Sequence, residues 1–391
     1  MRIAIACQRF DSAAGGLEHW TCQLVRGLAE RGHEVHVVAF HAGPASQPGK
    51  ARQSERPLLH LLPWSGSRLR RARAVQVALA GLKADVVHDL GACWSAGILH
   101  PQAGSGVANR RLDNSSRTPR ERWEQRLRPS YWRWLLEYRE FERRQYARSR
   151  GAIIAVSRMV ERDLRELHGV AADRIRRIPN GVDTARFSPS VCAEYRQEMR
   201  TRLKLEPRHT LYLFAAHNPR LKGFRPLLEA FAQLRSGHPE ARLAMIGKTA
   251  DPEQRRAAAR LGVADFVLFE GFVDNVLPYY AAADAFVLPT YYDACSLTVL
   301  EALACGLPAI TTTHNGASEL MTRKEGFVLD DPQDSHALAV AMARCAEPAA
   351  RLTMAKAARE MAVQNGMDKN IDAIENLYRE CAARRTGRTE A

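Results

Sequence analysis

Asp293 and Glu301 stand eight residues apart in the stretch "DACSLTVLEALACGLP" (293–308), one carboxylate before an apolar run and one inside it. Leu297, Val299, Leu300, Leu303 and Ala304 leave residues 296–304 almost no polar face. Gly306 and Pro308 then supply a stop signal, so the pattern predicts a short buried helix. A carboxylate there needs a partner, because an unpaired buried charge is strongly unfavourable. If both acids were helical they would lie about 12 Å apart along the axis, too far to share one atom but able to line one ligand. Asp293 is expected in the loop before the helix, where backbone N–H groups from Ser296 and Leu297 onward attract a phosphate. Glu301, one or two turns deeper, is placed to accept hydrogen bonds from sugar hydroxyls. The alternative partner for Glu301 is a neighbouring Arg or the backbone.

Two loops elsewhere offer the complementary charge. Gly15 and Gly16 follow the first strand and open the first helix, which exposes N–H groups and the positive helix end to an anion. The loop is neither G-x-G-x-x-G nor a Walker loop, so a plain tight turn is the competing reading. In "HNPRLKGF" (217–224), Arg220 and Lys222 bring two cations to the same kind of position, suited to a diphosphate; solvated loop cations are the alternative.

The elements that must carry these loops alternate along the chain. "RIAIAC", the glycine loop, an apolar-periodic run 17–30 and "VHVVAF" read as a β-α-β unit of a parallel sheet. "ADVVHDLG", "GILHP" and "GAIIAVS" are further strands, the last followed by a helix over 158–168. "RIRRIPNGVDTARFSP" (174–189), with its prolines and Asn-Gly, reads as an interdomain linker. After it come "TLYLFAAH", a helix over 224–235, "ARLAMIG", a helix in "EQRRAAARLGV", "DFVLFEGF", a short helix in "VLPYYAAA", "DAFVLPT", "PAITTT" and "GFVLD" as strands, and Ala-rich helices over 335–383. The expectation is two tandem doubly wound α/β domains, 1–186 and 187–368. The ligand is expected in the cleft they face, at the carboxyl ends of the strands, and 369–391 is expected to be a helix that packs back on the first domain.

Composition agrees with 391 residues in two domains. No apolar run reaches the roughly 18 residues of a membrane span, and the N-terminal apolar stretch is too short for a signal peptide, so the expectation is a cytoplasmic protein. Eight cysteines show neither C-x-x-C nor zinc spacing, and no structural metal is expected. The net charge of +14 lies wholly in the first half: residues 1–187 hold 32 Lys and Arg against 18 acids. Residues 110–150 alone carry 13 Arg against 6 acids, interleaved with Trp123, Tyr131, Trp132, Trp134, Tyr138, Phe141 and Tyr146. Such a segment suits nucleic acid or an anionic membrane surface.

The order Gly-Gly loop, "PNGVD", R-x-K-G, "AAADAFVLPT", then an acid, seven residues and Glu in "EALACGLPAI" resembles the retaining nucleotide-sugar glycosyltransferases of family 4, which have the GT-B fold of two Rossmann-like domains. The resemblance spans nearly the whole chain. It implies that Glu301 hydrogen-bonds the donor's ribose and that Asp293 lies near the transferred sugar and its phosphate. It further implies that Arg220 and Lys222 neutralise the diphosphate, that Gly15 and Gly16 let the backbone approach it, and that His100 hydrogen-bonds the donor sugar. The family usually carries Glu at the first acid, where this chain has the shorter Asp293. It often has Arg five residues before the Lys, where this chain has His217.

"GGLEHW", "FERRQYARS" and the basic aromatic insert look similar to the lipopolysaccharide core glucosyltransferases that add glucose to heptose. Two readings of the insert stand. On helical spacing Tyr131, Trp134 or Leu135, Tyr138 and Phe141 form one stripe that either faces a core or lies on an anionic inner membrane, where Arg126, Arg128, Tyr131, Trp132 and Trp134 would meet a glycolipid acceptor. No nucleic-acid fold signature accompanies the charge, so no nucleic-acid partner is expected. The resemblance implies a retaining hexosyltransferase that moves glucose from UDP-glucose to a lipopolysaccharide-core or similar glycolipid, peripherally attached to the inner face of the cell membrane. No D-x-D donor motif stands in a suitable loop, and neither cofactor nor divalent metal is expected. The alternatives are a family 4 transferase for capsule or exopolysaccharide and a non-catalytic sugar-nucleotide or membrane binder. An NAD-dependent oxidoreductase is disfavoured by the first loop.

Overall fold

The alternation of apolar strands with helices is realised as two separate parallel sheets in a computed structural model that describes residues 1–43, 56–94, 97–148 and 151–386. Unit 1 comprises Met1–Arg110, Thr118–Gly181 and Met367–Ala391; unit 2 comprises Arg111–Arg117 and Val182–Gly366. The last five residues of the polar tail lie outside the described residues.

The chain runs through β1 (Arg2–Ala6), β2 (Arg9–Phe10), α1 (Gly16–Glu30), β3 (Glu34–Ala39), β4 (His41–Ala42), β5 (Leu58–Leu61), α2 (Arg68–Gly81), β6 (Val86–Asp89) and β7 (Ile98–Leu99). It continues with α3 (Gly106–Ser115), α4 (Pro119–Arg126), α5 (Pro129–Arg148), β8 (Ile153–Ala155), α6 (Arg158–His168) and β9 (Ile175–Arg177). Seven of these nine strands form a parallel sheet of order β5-β3-β1-β6-β7-β8-β9, while β2 and β4 pair with each other. Residues 3–6 of β1 are fully buried, as a strand covered on both faces requires. Ala72, Val75 and Leu79 of α2, with Trp94 and Phe141, cover one side of it.

Unit 2 follows with α7 (Pro189–Arg202), β10 (Thr210–Ala216), α8 (Phe224–Arg235), β11 (Ala241–Gly247), α9 (Pro252–Arg260), β12 (Val267–Gly271) and α10 (Leu277–Ala282). Then come β13 (Ala285–Val287), α11 (Leu297–Ala304), β14 (Ala309–Thr312), β15 (Gly326–Leu329), α12 (Ser335–Ala346) and α13 (Pro348–Gln364). Its six-stranded parallel sheet has the order β12-β11-β10-β13-β14-β15. Asp284 anchors it from below: Arg196 and Arg200 pair with its carboxylate, which also accepts from the Leu211 N–H at 2.8 Å. The strand order reverses at β1 in one sheet and at β10 in the other. The loop after each of these strands is therefore at a topological switch point, where ligands of open α/β sheets bind. The Gly15-Gly16 loop and "HNPRLKGF" are those two loops.

The final helix, α14 (Met367–Thr386), belongs to unit 1. Arg31 reaches Asp372 and Glu375 on it, and His33 Nε2 lies 3.1 Å from Glu375. Contact with α1 is close enough that a Cβ on Gly27 would stand 2.4 Å from Ile371 Cδ1.

The linker reading of 174–189 needs correction at its start. Residues 175–177 form the edge strand β9, in register with β8. Basic edge residues disguise it, since a strand paired on one side needs few apolar positions. The aromatic stripe divides as well. Leu135, Phe141 and Tyr146 are buried, whereas Trp123, Leu127, Trp132, Trp134 and Leu136 remain exposed. No helix among the described residues is long and apolar enough to cross a membrane.

Candidate functional site

In unit 2, the loops after β10 and β13 meet. Thr290 ties them: its hydroxyl lies within hydrogen-bonding distance of Leu221 O and of Tyr292 O, and the Tyr291 N–H donates to Leu221 O. Gly223 makes the approach possible. It has φ of +81°, a left-handed conformation natural to glycine, and a Cβ there would lie 1.9 Å from Pro289 O. The R-x-K-G glycine is thus required by backbone geometry.

That approach delivers Lys222 to Asp293. The Nζ donates to Asp293 Oδ2 at 2.6 Å and to Tyr292 O at 3.0 Å, with both side chains about one-fifth exposed. The expected diphosphate cation and the expected sugar-side acid form one ion pair. Arg220 is differently engaged. Within the same unit it pairs with Asp113 Oδ1 at 2.9 Å and donates to Asp113 O and Ser116 Oγ, so it is less available to a diphosphate than the motif implied.

Asp293 precedes α11 as expected, and Ser296 is the N-cap, accepting from Val299 N–H. The Ser296 N–H itself donates to Asn315 Oδ1 at 3.1 Å, which corrects its expected role as a hydrogen-bond donor to phosphate; α11 begins at Leu297. Asn315 also accepts from Ala317 N–H and donates to Thr311 Oγ1. Asp293 N–H donates to His314 O, and Gly316 N–H donates to Asp293 O. The "HNG" at 314–316 therefore frames the acid. Sequence reading passed over it, although Asn-Gly after an apolar strand is a turn signal.

Glu301 is buried, and its partner is neither arginine nor backbone. Tyr280 on α10 donates its hydroxyl to Glu301 Oε2 at 2.8 Å. Burial pushes the carboxyl up to about 7, opposed by that hydrogen bond and by the charge of Arg186. Tyr280 was hidden in "VLPYYAAA" as one more apolar residue.

Unit 1 presents its own set. Gly15 is the N-cap of α1 with φ of 169°, an extended conformation open to any residue, and Gly16 is the exposed first residue of the helix. His100, just beyond β7, is wholly buried; its Nδ1 lies 3.2 Å from His88 Nε2, and its Nε2 has no hydrogen-bond partner among the described residues. Burial, reinforced by His88, holds His100 well below the ordinary histidine range. Tyr131, Trp132 and Trp134 cluster in ring contact at the start of α5. Trp132 Nε1 donates to Arg126 O, and Arg126 and Arg128 are exposed beside them.

Two family models adjoin along the chain: one described as Glycosyltransferase Family 4 matches residues 14–186, and one described as Glycosyl transferases group 1 matches residues 208–347. The D-inositol 3-phosphate glycosyltransferase of Xylanimonas cellulosilytica is 28% identical, over 96% of this chain and 94% of that protein. The D-inositol 3-phosphate glycosyltransferase of Acidothermus cellulolyticus is 33% identical, over 59% of this chain and 53% of that protein, so the chain spans about half the length of that relative. The crystal structure of WaaG, a glycosyltransferase involved in lipopolysaccharide biosynthesis, superposes with a TM-score of 0.77 at 20% identity, covering 96% of this chain and 99% of that one. That likeness is one of fold, and the fold is GT-B.

Proposed function

We propose, for a chain that belongs to glycosyltransferase family 4, that unit 2 binds a nucleoside diphosphate sugar and that the enzyme transfers the sugar with retention to a hydroxyl acceptor. The observation that carries the reading is the Lys222–Asp293 pair at the switch point of the second sheet, with Glu301 deeper in the following helix. A diphosphate arriving there competes with Asp293 for Lys222. The ammonium then stabilises negative charge on the departing phosphate, the largest electrostatic change in the reaction, and the N–H groups of α11 from Leu297 add a fixed dipole. Asp293, released, faces the transferred sugar. Glu301 takes the ribose hydroxyls. Within unit 1, His100 is read as a contact for a sugar hydroxyl and the Gly15-Gly16 loop as a contact for an anion. In this reading Lys222 provides the compensating charge, and no divalent metal is required.

For donor and acceptor, we favour UDP-glucose and a glycolipid at an anionic membrane surface. Support comes from Trp123, Leu127 and Leu136, each about three-fifths exposed or more, among the exposed arginines of α4 and α5. Large apolar side chains ringed by cations suit an interface with anionic lipid. The relatives named for D-inositol 3-phosphate favour a second reading, a soluble phosphorylated polyol as acceptor. Calorimetry with UDP- and GDP-sugars, with and without EDTA, tests the donor half. Binding lost in EDTA, or unaltered in Glu301→Ala, contradicts it. Transfer assayed on glycolipid in vesicles beside inositol phosphate separates the two acceptors.

A further inference from the structure

We propose that Tyr378 and His88 are positioning residues that hold His100 as an Nε2–H hydrogen-bond donor for a sugar hydroxyl. The inference rests on the reading of His100 as a substrate contact and adds how its proton is placed.

Three buried rings make one line in unit 1. The Tyr378 hydroxyl on α14 lies 2.6 Å from His88 Nδ1 on β6, and His88 Nε2 lies 3.2 Å from His100 Nδ1. The two imidazoles are parallel and meet nearly edge to edge, with centroids 5.3 Å apart, and the Trp20 ring stands perpendicular to His100 at 5.4 Å. All four side chains are buried.

The direction of the line follows from counting partners. A neutral imidazole has one donor and one acceptor nitrogen. Burial lowers His88 to about 3 and holds His100 well below the ordinary range, so both rings are neutral near pH 7. If Tyr378 donates to His88 Nδ1, then His88 Nε2–H donates to His100 Nδ1 and His100 carries its proton on Nε2. Within these three rings, the one polar hydrogen then left without a partner among the described residues is that Nε2–H. If the line runs the other way, the buried Tyr378 hydrogen has no acceptor among the described residues and His100 Nε2 is also left as an unmet acceptor. The first arrangement leaves one buried orphan and the second leaves two, so the first is favoured.

The remaining orphan has company. The Trp20 Nε1–H and the Gln102 side-chain amide are likewise buried with no partner among the described residues, and the Gln102 N–H donates to His100 O. Donors and an amide gathered at the carboxyl end of β7 match a ligand rich in hydroxyl groups, which both donates and accepts. The fixed Nε2–H selects a ligand oxygen as its acceptor.

The test is long-range 1H–15N correlation of histidine rings in the full-length protein, with His100→Asn and Tyr378→Phe for assignment. The expected spectrum shows His88 and His100 both as Nε2–H tautomers, with the His88 tautomer mixed in Tyr378→Phe. A proton on Nδ1 of His100 would overturn the proposal. Kinetics then separate the relay from the reading beneath it. Tyr378→Phe is expected to lower kcat about tenfold while the affinity for UDP changes by less than about twofold. The expected tautomers with unaltered turnover would support the relay and remove His100 from substrate contact. Because tautomers are read in the unmodified protein, a poorly folding variant leaves the test intact.

Discussion

Tyr280 OH donates to Glu301 Oε2 across 2.8 Å and also lies 3.2 Å from Thr298 O, and this hydroxyl joins two helices of unit 2, α10 and α11, at a buried carboxyl. The pair lowers the cost of keeping Glu301 in the apolar interior without abolishing it. The carboxyl stays well above its ordinary range of about 4.5, at about 7.

A pH dependence follows from that shift. Since the folded-state value is raised, the protonated carboxyl contributes stability that is fully present below about pH 4.5 and is lost as pH rises through about 7. Ribose hydroxyls donating to Glu301 favour the ionised form, so donor binding should expel a proton near pH 6 and none above about pH 8. Calorimetry in buffers of different ionisation enthalpy measures that proton. Tyr280→Phe removes the bond that lowers the value and should move the transition to higher pH. Donor binding with no proton release between pH 5 and 8 would place the ribose elsewhere.

Lys222 and Arg220 should separate in kinetics. Lys222→Ala removes the cation proposed to face the diphosphate and takes from Asp293 its ion-pair partner, so kcat should fall about 100- to 1,000-fold. Arg220 is committed to Asp113 and Ser116, and Arg220→Ala should cost less than about tenfold in kcat, with a lowered Tm. Equal losses in steady-state assays would contradict the division.

Gly223→Ala is a backbone test. The new Cβ meets Pro289 O in a left-handed residue, so unfolding in urea should show a loss of more than about 2 kcal/mol. Loss of UDP affinity should accompany it, because the same loop carries Lys222. An unchanged urea midpoint would mean that the two loops part readily.

The exposed aromatics of α4 and α5 predict lipid binding. Trp123→Ala combined with Leu127→Ala should weaken sedimentation with anionic vesicles by more than about tenfold. UDP affinity should be unaffected, and neutral vesicles should bind weakly in either case. Equal binding of variant and parent to anionic vesicles would assign this surface another partner.

Much of this architecture could be read locally. β1, β10 and β11 are continuous apolar runs, and Gly223, Lys222 and Asp293 sit at loops punctuated by Gly, Pro and charge. What escaped the sequence was pairing over distance. Tyr280 is 21 residues from Glu301, and Tyr378 is 290 from His88. An apolar-looking aromatic gives no sign in the sequence of where its hydroxyl points. Ser296 N–H was assigned to a ligand because Asn315, which takes it, lies on the far side of β14. β9 and the Arg-rich α2 were missed because their basic residues mask short apolar faces.

The placement of α14 has a consequence for the order of assembly. Residues 367–386 complete unit 1 yet are synthesised after all of unit 2. On the ribosome, β10 through α13 can therefore close before Ile371 reaches Gly27 or Tyr378 reaches His88. The second half of the polypeptide is the first to mature, and the last turns made finish the first half.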